Sequence, residues 1–174
     1  MNRMRLFLGM IFGVILVLAA LYAYFFFGYA PVATAAPPIP FEIKLAHMAL
    51  NARIDKEAPK NAPFQPAEAD LENAAHLYRQ HCAMCHGLMD QPQSATAKGM
   101  FPKPPELVHD KGVTDDPPGE TYWKIANGIR LTGMPAYGKS LSDKEMWQIS
   151  FLLAGADKLP EQVKSVLQQP AQAQ

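Results

Sequence analysis

Charge of one sign is what this chain most plainly lacks. Sixteen Lys and Arg balance sixteen Asp and Glu over 174 residues, and no basic block occurs. A nucleic-acid interface needs clustered cations to displace counterions from phosphates, so that class is set aside. No G-x-G-x-x-G, G-x-x-x-x-G-K-[ST] or G-x-S-x-G occurs, which removes the common nucleotide sites and the hydrolase elbow. Cysteine is scarce, with two residues that both fall in one pentapeptide. That leaves no disulfide framework and no spare N-terminal thiol to carry a lipid. Sustained strand alternation is also missing, so the chain reads as all-α.

What is present begins with an apolar run. Leu6 to Tyr29 contains no charge and comes just after Arg3 and Arg5. As a helix its 24 residues reach about 36 Å, enough to cross a bilayer core of ~30 Å with some tilt. The positive flank predicts an N-terminus in the cytoplasm and export of the residues beyond the apolar run. Tyr22, Tyr24, Phe25, Phe26, Phe27 and Tyr29 gather at the far end, where aromatic rings favour headgroups. Ala33-Thr34-Ala35 offers a cleavage site, but the run is longer than the apolar core of a signal peptide, so a retained anchor over residues 1–29 is expected. The expected location is the inner membrane, single-pass, with the remainder on the periplasmic side.

Residues 30–67 hold Pro31, Pro37, Pro38, Pro40, Pro59, Pro63 and Pro66, too many for one regular element. This stretch is expected to be a linker. Within it, near 41–58, Phe41, Leu45, Met48, Ala49 and Ala52 recur at helical spacing. A short amphipathic helix there could lie on its own domain or on the membrane surface, or clip onto a partner subunit.

A compact domain is expected over 68–160, with 161–174 as a tail. Asp70 is a candidate cap for a first helix ending at Cys82, and a second helix begins near Gly119 and stops at Asn127-Gly128. Ser142 with Glu145 three residues on predicts a third, closed by Gly155 and Pro160. Between the first two the chain is loop-rich, with six prolines from Pro92 to Pro118. Such a segment has little to fold around unless an apolar disc supplies its core.

Cys82-Ala83-Met84-Cys85-His86 points to that disc, since C-x-x-C-H is the attachment sequence of a c-type haem. Two thiols on one helical turn can add across two vinyl groups, and His86 can then reach one face of the iron. A zinc half-site would need further ligands at set spacing, and a thioredoxin-like pair would need alternating strands and helices. A plain disulfide is the third rival. For the opposite face, Met134 in Gly133-Met134-Pro135 is the leading candidate. Its neutral, soft thioether favours ferrous iron, Gly133 permits close backbone approach, and Pro135 fixes the chain after it. Met89, Met100, Met146, His76, His81 and His109 stay open as alternatives, and Met84 is poorly placed between the thiols.

The series Leu77-Tyr78-x-x-x-Cys82-x-x-Cys85-His86-Gly87, Pro104-Pro105-Glu106-Leu107, Gly119-Glu120-Thr121-Tyr122-Trp123-x-x-x-Asn127-Gly128-Ile129, Gly133-Met134-Pro135-Ala136-Tyr137 and Leu141-Ser142-Asp143-x-Glu145-x-Trp147 resembles the bacterial class I cytochromes c. The branch that includes the cbb3-oxidase subunit III domain is the most similar. The resemblance implies a class I cytochrome c fold around one covalently attached haem c, with His86 and Met134 as axial ligands. It implies that Pro105 accepts a hydrogen bond from the other His86 nitrogen, and that Leu107 belongs to the same haem-packing stretch. Ala74 stands where the family often has glycine at the helix crossing, which predicts slightly more separated helices. A second C-x-x-C-H, found in two-haem members, is missing.

The expected function is single-electron transfer between redox protein partners at the membrane, with no catalytic residues and no small-molecule substrate. A haem-bearing subunit of a larger respiratory or dehydrogenase complex is the alternative, and a peroxidase or gas sensor a more distant one. Over 67–160, nine Lys/Arg face twelve Asp/Glu, a net −3, unlike a basic carrier steered by charge. Lys98, Lys103, Lys111, Arg130 and Lys139 could still form a local ring of cations.

Overall fold

The computed structural model describes residues 2–108 and 116–170. Every regular element among them is helical. The chain divides into two compact units, Met1–Pro40 and Phe41–Gln174.

The first unit is built on α1, Asn2–Phe26. Most of its apolar side chains are exposed, and only Ala23 and Tyr24 are partly covered among the described residues of the helix. The helix is long and apolar enough to cross a membrane.

In the second unit α2 (Glu42–Glu57) leads to α3 (Glu68–His81) and the one-turn α4 (Ala83–His86). A second single turn, α5 (Ala95–Lys98), interrupts the proline-rich loop. Then come α6 (Pro118–Asn127), α7 (Asp143–Ala154), a 3-10 turn at Ala156–Lys158, and α8 (Glu161–Gln168). Helix α7 is the hub, packing on both α3 and α6, while α8 covers the other side of α3.

Small buried residues let α3 and α7 approach. Ala74, Ala75 and Ser150 have no exposed surface. A polar ladder flanks the crossing, in which Asn73 Nδ2 donates to Gln148 Oε1 (2.7 Å) and Gln148 Nε2 donates to Asp70 Oδ1 (2.8 Å). Beside it, Tyr78, Met146, Ile149, Leu152, Val163 and Leu167 make the deepest packing. Trp147 stacks on Tyr122 of α6 at 4.6 Å, a geometry that adds ring attraction to burial.

Three boundaries differ from the sequence reading. Asp70 is not the cap of α3 but its third residue, reaching back to the Ala67 amide (3.0 Å), because Ala67 has no side chain to cap with. The compact unit begins at Phe41, so the segment expected to be linker contributes α2 to it. The tail expected at 161–174 carries α8, whose Val163, Val166 and Leu167 are buried. Arg79 fixes its end by donating to the carbonyls of Val166 (3.1 Å), Gln169 (2.7 Å) and Pro170 (3.0 Å). Four carbonyls at a helix end have no helical partner, and one arginine from α3 takes up this role here. The Ser142 cap matched expectation, with Ser142 Oγ accepting from Glu145 N (3.3 Å).

Candidate functional site

One cavity of about 250 Å³ gathers most of the residues singled out above. Cys82 enters from the junction of α3 and α4, Cys85 and His86 from α4, Pro105 from the proline-rich loop, and Met134 from the segment between α6 and α7. Ile125, Ile129, Pro102, Pro104, Met100 and Tyr137 make the remaining walls largely apolar.

Local bonds hold each contributor in place. Tyr78, fully buried on α3, donates its hydroxyl to the carbonyls of Gly87 (2.9 Å) and His86 (3.3 Å), which ties α4 to the core. His86 Nδ1 lies 2.8 Å from the Pro105 carbonyl. A carbonyl can only accept, so Nδ1 carries the proton and Nε2 keeps its lone pair. Burial pushes the His86 pKa down, against the opposing pull of that hydrogen bond, so the neutral ring is favoured. The side chain of Leu107 packs against the helical core, as those of Met134 and Tyr137 also do, and its backbone N–H donates to the His86 carbonyl (3.4 Å).

The Met134 segment is fixed by backbone geometry. Ile129 N donates to the Met134 carbonyl (3.2 Å), and Met134 N donates to Thr132 Oγ1 (3.1 Å). Gly128 sits at φ +65°, where a side chain would be strained. A Cβ there would also come within 2.7 Å of the Pro135 carbonyl carbon and the Ala136 nitrogen. At Gly133 a Cβ would overlap the Met100 methyl group. Glycine is therefore required at 128 for the turn and favoured at 133 by crowding.

Most of the alternatives to Met134 separate by position, while Met100 lines the same cavity. Met146 is buried between helices and Met89 packs on the same core, away from the cavity. His76 is exposed on α3. Met84, Met100 and His81 do line the cavity, but the His81 ring packs edge-on against Tyr137 (5.6 Å) and Met84 is more than half exposed. His109 and Lys111 lie outside the described residues. Of the remaining cations proposed as a ring, Lys103 lines this cavity and Arg130 an adjoining groove.

Sequence reasoning passed over Gln93, although it stands seven residues after His86 in the loop. It is buried, and its Nε2 donates to the carbonyls of Pro104 (2.9 Å) and, more weakly, Cys85 (3.5 Å). It thus links the thiol turn to the residue before the His86 acceptor. Tyr137 was seen only as part of a motif. Its hydroxyl donates to the His81 carbonyl (2.8 Å), joining the Met134 segment to α3.

This donor set suits a covalently held porphyrin better than a metal ion alone. Among the described residues no group of three or more Cys, His, Asp or Glu could hold a metal. A zinc or redox role also needs a thiolate, whereas burial, reinforced by Cys85, pushes the Cys82 thiol up to about 12. Two thiols, an imidazole with a free Nε2, a thioether and apolar walls match what a c-type haem requires.

Residues 69–150 match the family described as cytochrome C oxidase, cbb3-type, subunit III. A solved structure, the Kuenenia stuttgartiensis reducing HAO-like protein complex, aligns with a TM-score of 0.47 and 24% identity. That alignment covers 55% of this chain and 47% of the other, so this chain spans about half the length of that relative. No curated protein matches.

Proposed function

We propose that this protein is a membrane-tethered, single-haem electron carrier of the class I c-type cytochrome kind, a reading supported by the match of residues 69–150 to the cbb3-type subunit III family. Cys82 and Cys85 would hold the haem through two thioethers, and His86 and Met134 would supply the two protein ligands to its iron. The observation that carries this reading is the meeting of all four in one apolar cavity, with His86 Nδ1 already committed to Pro105. When bound, the haem supplies a reversible one-electron Fe(II)/Fe(III) couple. The protein's own residues do the rest. The Pro105 carbonyl orients the imidazole and raises its basicity, Met134 favours the reduced state, and the apolar walls keep water from most of the ring. No side chain is assigned an acid–base task.

Helix α1 is retained as the anchor and holds the domain on the periplasmic face of the inner membrane, where redox protein partners give and take the electron. Tethering replaces the long-range charge steering that the balanced composition does not provide.

The test is mass spectrometry and optical spectroscopy of the membrane-extracted protein from a host able to attach haem. One haem mass per intact chain is expected, lost in Cys82→Ala/Cys85→Ala. Met134→Ala should lower the reduction potential and abolish the weak sulfur–iron charge-transfer band. A colourless, well-folded mature chain overturns the haem reading, and an unchanged band in Met134→Ala overturns the ligand assignment.

A further inference from the structure

The apolar stripe of α2 does not serve the domain it belongs to. At 100° per residue, Phe41, Leu45, Met48 and Ala52 share one face, while Ile43, Ala46, Leu50 and Ile54 share the opposite one. The second set faces the domain. Ile43, Ala46 and Leu50 line an open groove with the end of α6, in which Ile43 is still 49% exposed, and of this set only Ile54 is buried. The helix is fastened at its C-terminal end. Ala58 is buried, Trp123 Nε1 donates to Glu57 Oε2 (3.2 Å), and the Pro59 carbonyl presses so close to Gly119 that a Cβ there would overlap it. The first three turns leave Phe41 70% exposed, Leu45 56% and Met48 60%. Phe41 itself adopts φ +67°, an uncommon backbone for a bulky residue, as the chain turns into α2.

Two features identify what covers this face. Fifteen residues separate the end of α1 at Phe26 from the start of α2 at Glu42. Fully extended they span at most about 54 Å, and as a flexible chain roughly 21 Å. A membrane that receives α1 is therefore always within reach of the stripe, at high effective concentration. Charge is the second feature. Lys44, Arg53 and Lys56 offset Glu42, Asp55 and Glu57 along α2, so the helix offers no field of one sign to an oppositely charged protein. Lys44 borders the stripe and has the length to keep its ammonium among headgroups while its stem lies along apolar surface.

We propose that the N-terminal half of α2 lies in the lipid surface, with Phe41, Leu45 and Met48 at the boundary between headgroups and acyl chains. The helix is apolar on two faces because one holds the domain and the other holds the bilayer. The haem domain then has two membrane contacts, the anchor and this helix, and its swing on the linker is restricted. The inference rests on α1 being a retained anchor.

The experiment uses the full-length, haem-loaded protein in phosphatidylcholine nanodiscs. Single nitroxide labels are placed through Leu45→Cys, Met48→Cys and, on the face toward the groove, Ala46→Cys. Power saturation then compares collision with oxygen, which partitions into lipid, and with a water-soluble nickel chelate. Labels at 45 and 48 should favour oxygen several-fold over the label at 46. Leu45→Glu with Met48→Glu should leave the absorption spectrum and thermal midpoint unchanged, yet open α2 to trypsin in the discs. Nickel-accessible labels at 45 and 48 in an intact, disc-held chain overturn the proposal and leave the anchor standing. Shielding of those labels only after a partner protein is added overturns it in favour of protein docking. Removal of residues before Ala36 in the mature chain, seen by mass spectrometry, overturns both.

Discussion

The helical side of the second unit and the loop side facing the cavity are built on different principles. On the helical side, α3, α7 and α8 bury side chains against one another, with Ile149, Leu152, Val163 and Leu167 at or near zero exposure. On the loop side, Met100, Pro102, Pro104, Ile129 and Met134 direct their apolar atoms into a shared hollow. The first side completes its own core. The second has a frame of backbone hydrogen bonds and tight glycines around an apolar hollow. The difference predicts that damage on the helical side unfolds the whole unit, whereas damage on the loop side shows first in the site.

The largest effect is expected from Leu152→Ala. Deleting a fully buried leucine costs about 2–5 kcal/mol, depending on how far the neighbours close in. Calorimetry should show a lower midpoint for the entire domain, while whatever protein remains folded should keep an unaltered haem spectrum. Gly128→Ala makes the complementary test. A left-handed backbone imposed on alanine costs about 1–3 kcal/mol, and the crowding against Pro135 and Ala136 adds to it. Its expected signature is a changed sulfur–iron band before any global loss. If Gly128→Ala and Leu152→Ala instead melt the domain alike and with no separate change at the site, the two sides are a single cooperative structure and the comparison fails.

Tyr78→Phe probes the seam between the two sides. The hydroxyl belongs to the helical core, but it serves the carbonyls of His86 and Gly87. Its loss leaves a buried carbonyl without its donor, at a cost of about 1–3 kcal/mol. Hydrogen exchange should quicken around α4, and the reduction potential should move because the His86 ring loses its footing. A potential equal to that of the parent would assign Tyr78 to the core alone.

Legibility in the sequence tracks the same division. Periodicity and caps located α6 and α7 well, because Ser142, Glu145 and Gly128 act through local backbone geometry. The candidate donors Cys82, Cys85 and His86 were visible because C-x-x-C-H is a local pattern within one pentapeptide. Contacts between distant segments were not visible. Nothing in the spacing of α8 announced that Arg79 would receive its last carbonyls, or that Pro59 would press on Gly119. The α2 stripe was read correctly as helical but could not reveal which face would turn inward, since apolar residues lie on both. Leu107 was grouped with Pro105 by a motif, which could not show that its side chain would pack on the helical core.

The smallest effect lies in the polar ladder across the α3–α7 crossing, and it is read by pH. Asp70 accepts from the Ala67 amide, from Gln148 and from Lys144 (3.1 Å), which together hold its pKa at about 2, below the ordinary 3.8. A carboxyl with a lowered folded-state pKa stabilises the fold above its unfolded value, and that contribution fades as pH falls through the folded one. The domain should therefore lose stability between about pH 4 and pH 2 as protons reach Asp70. Asp70→Asn should be less stable than the parent at pH 7, and the gap should close as pH approaches 2. Thermal midpoints of both proteins across that range decide it. A gap that persists unchanged at pH 2 would mean that Asp70 contributes through shape and neutral hydrogen bonding, not through its charge.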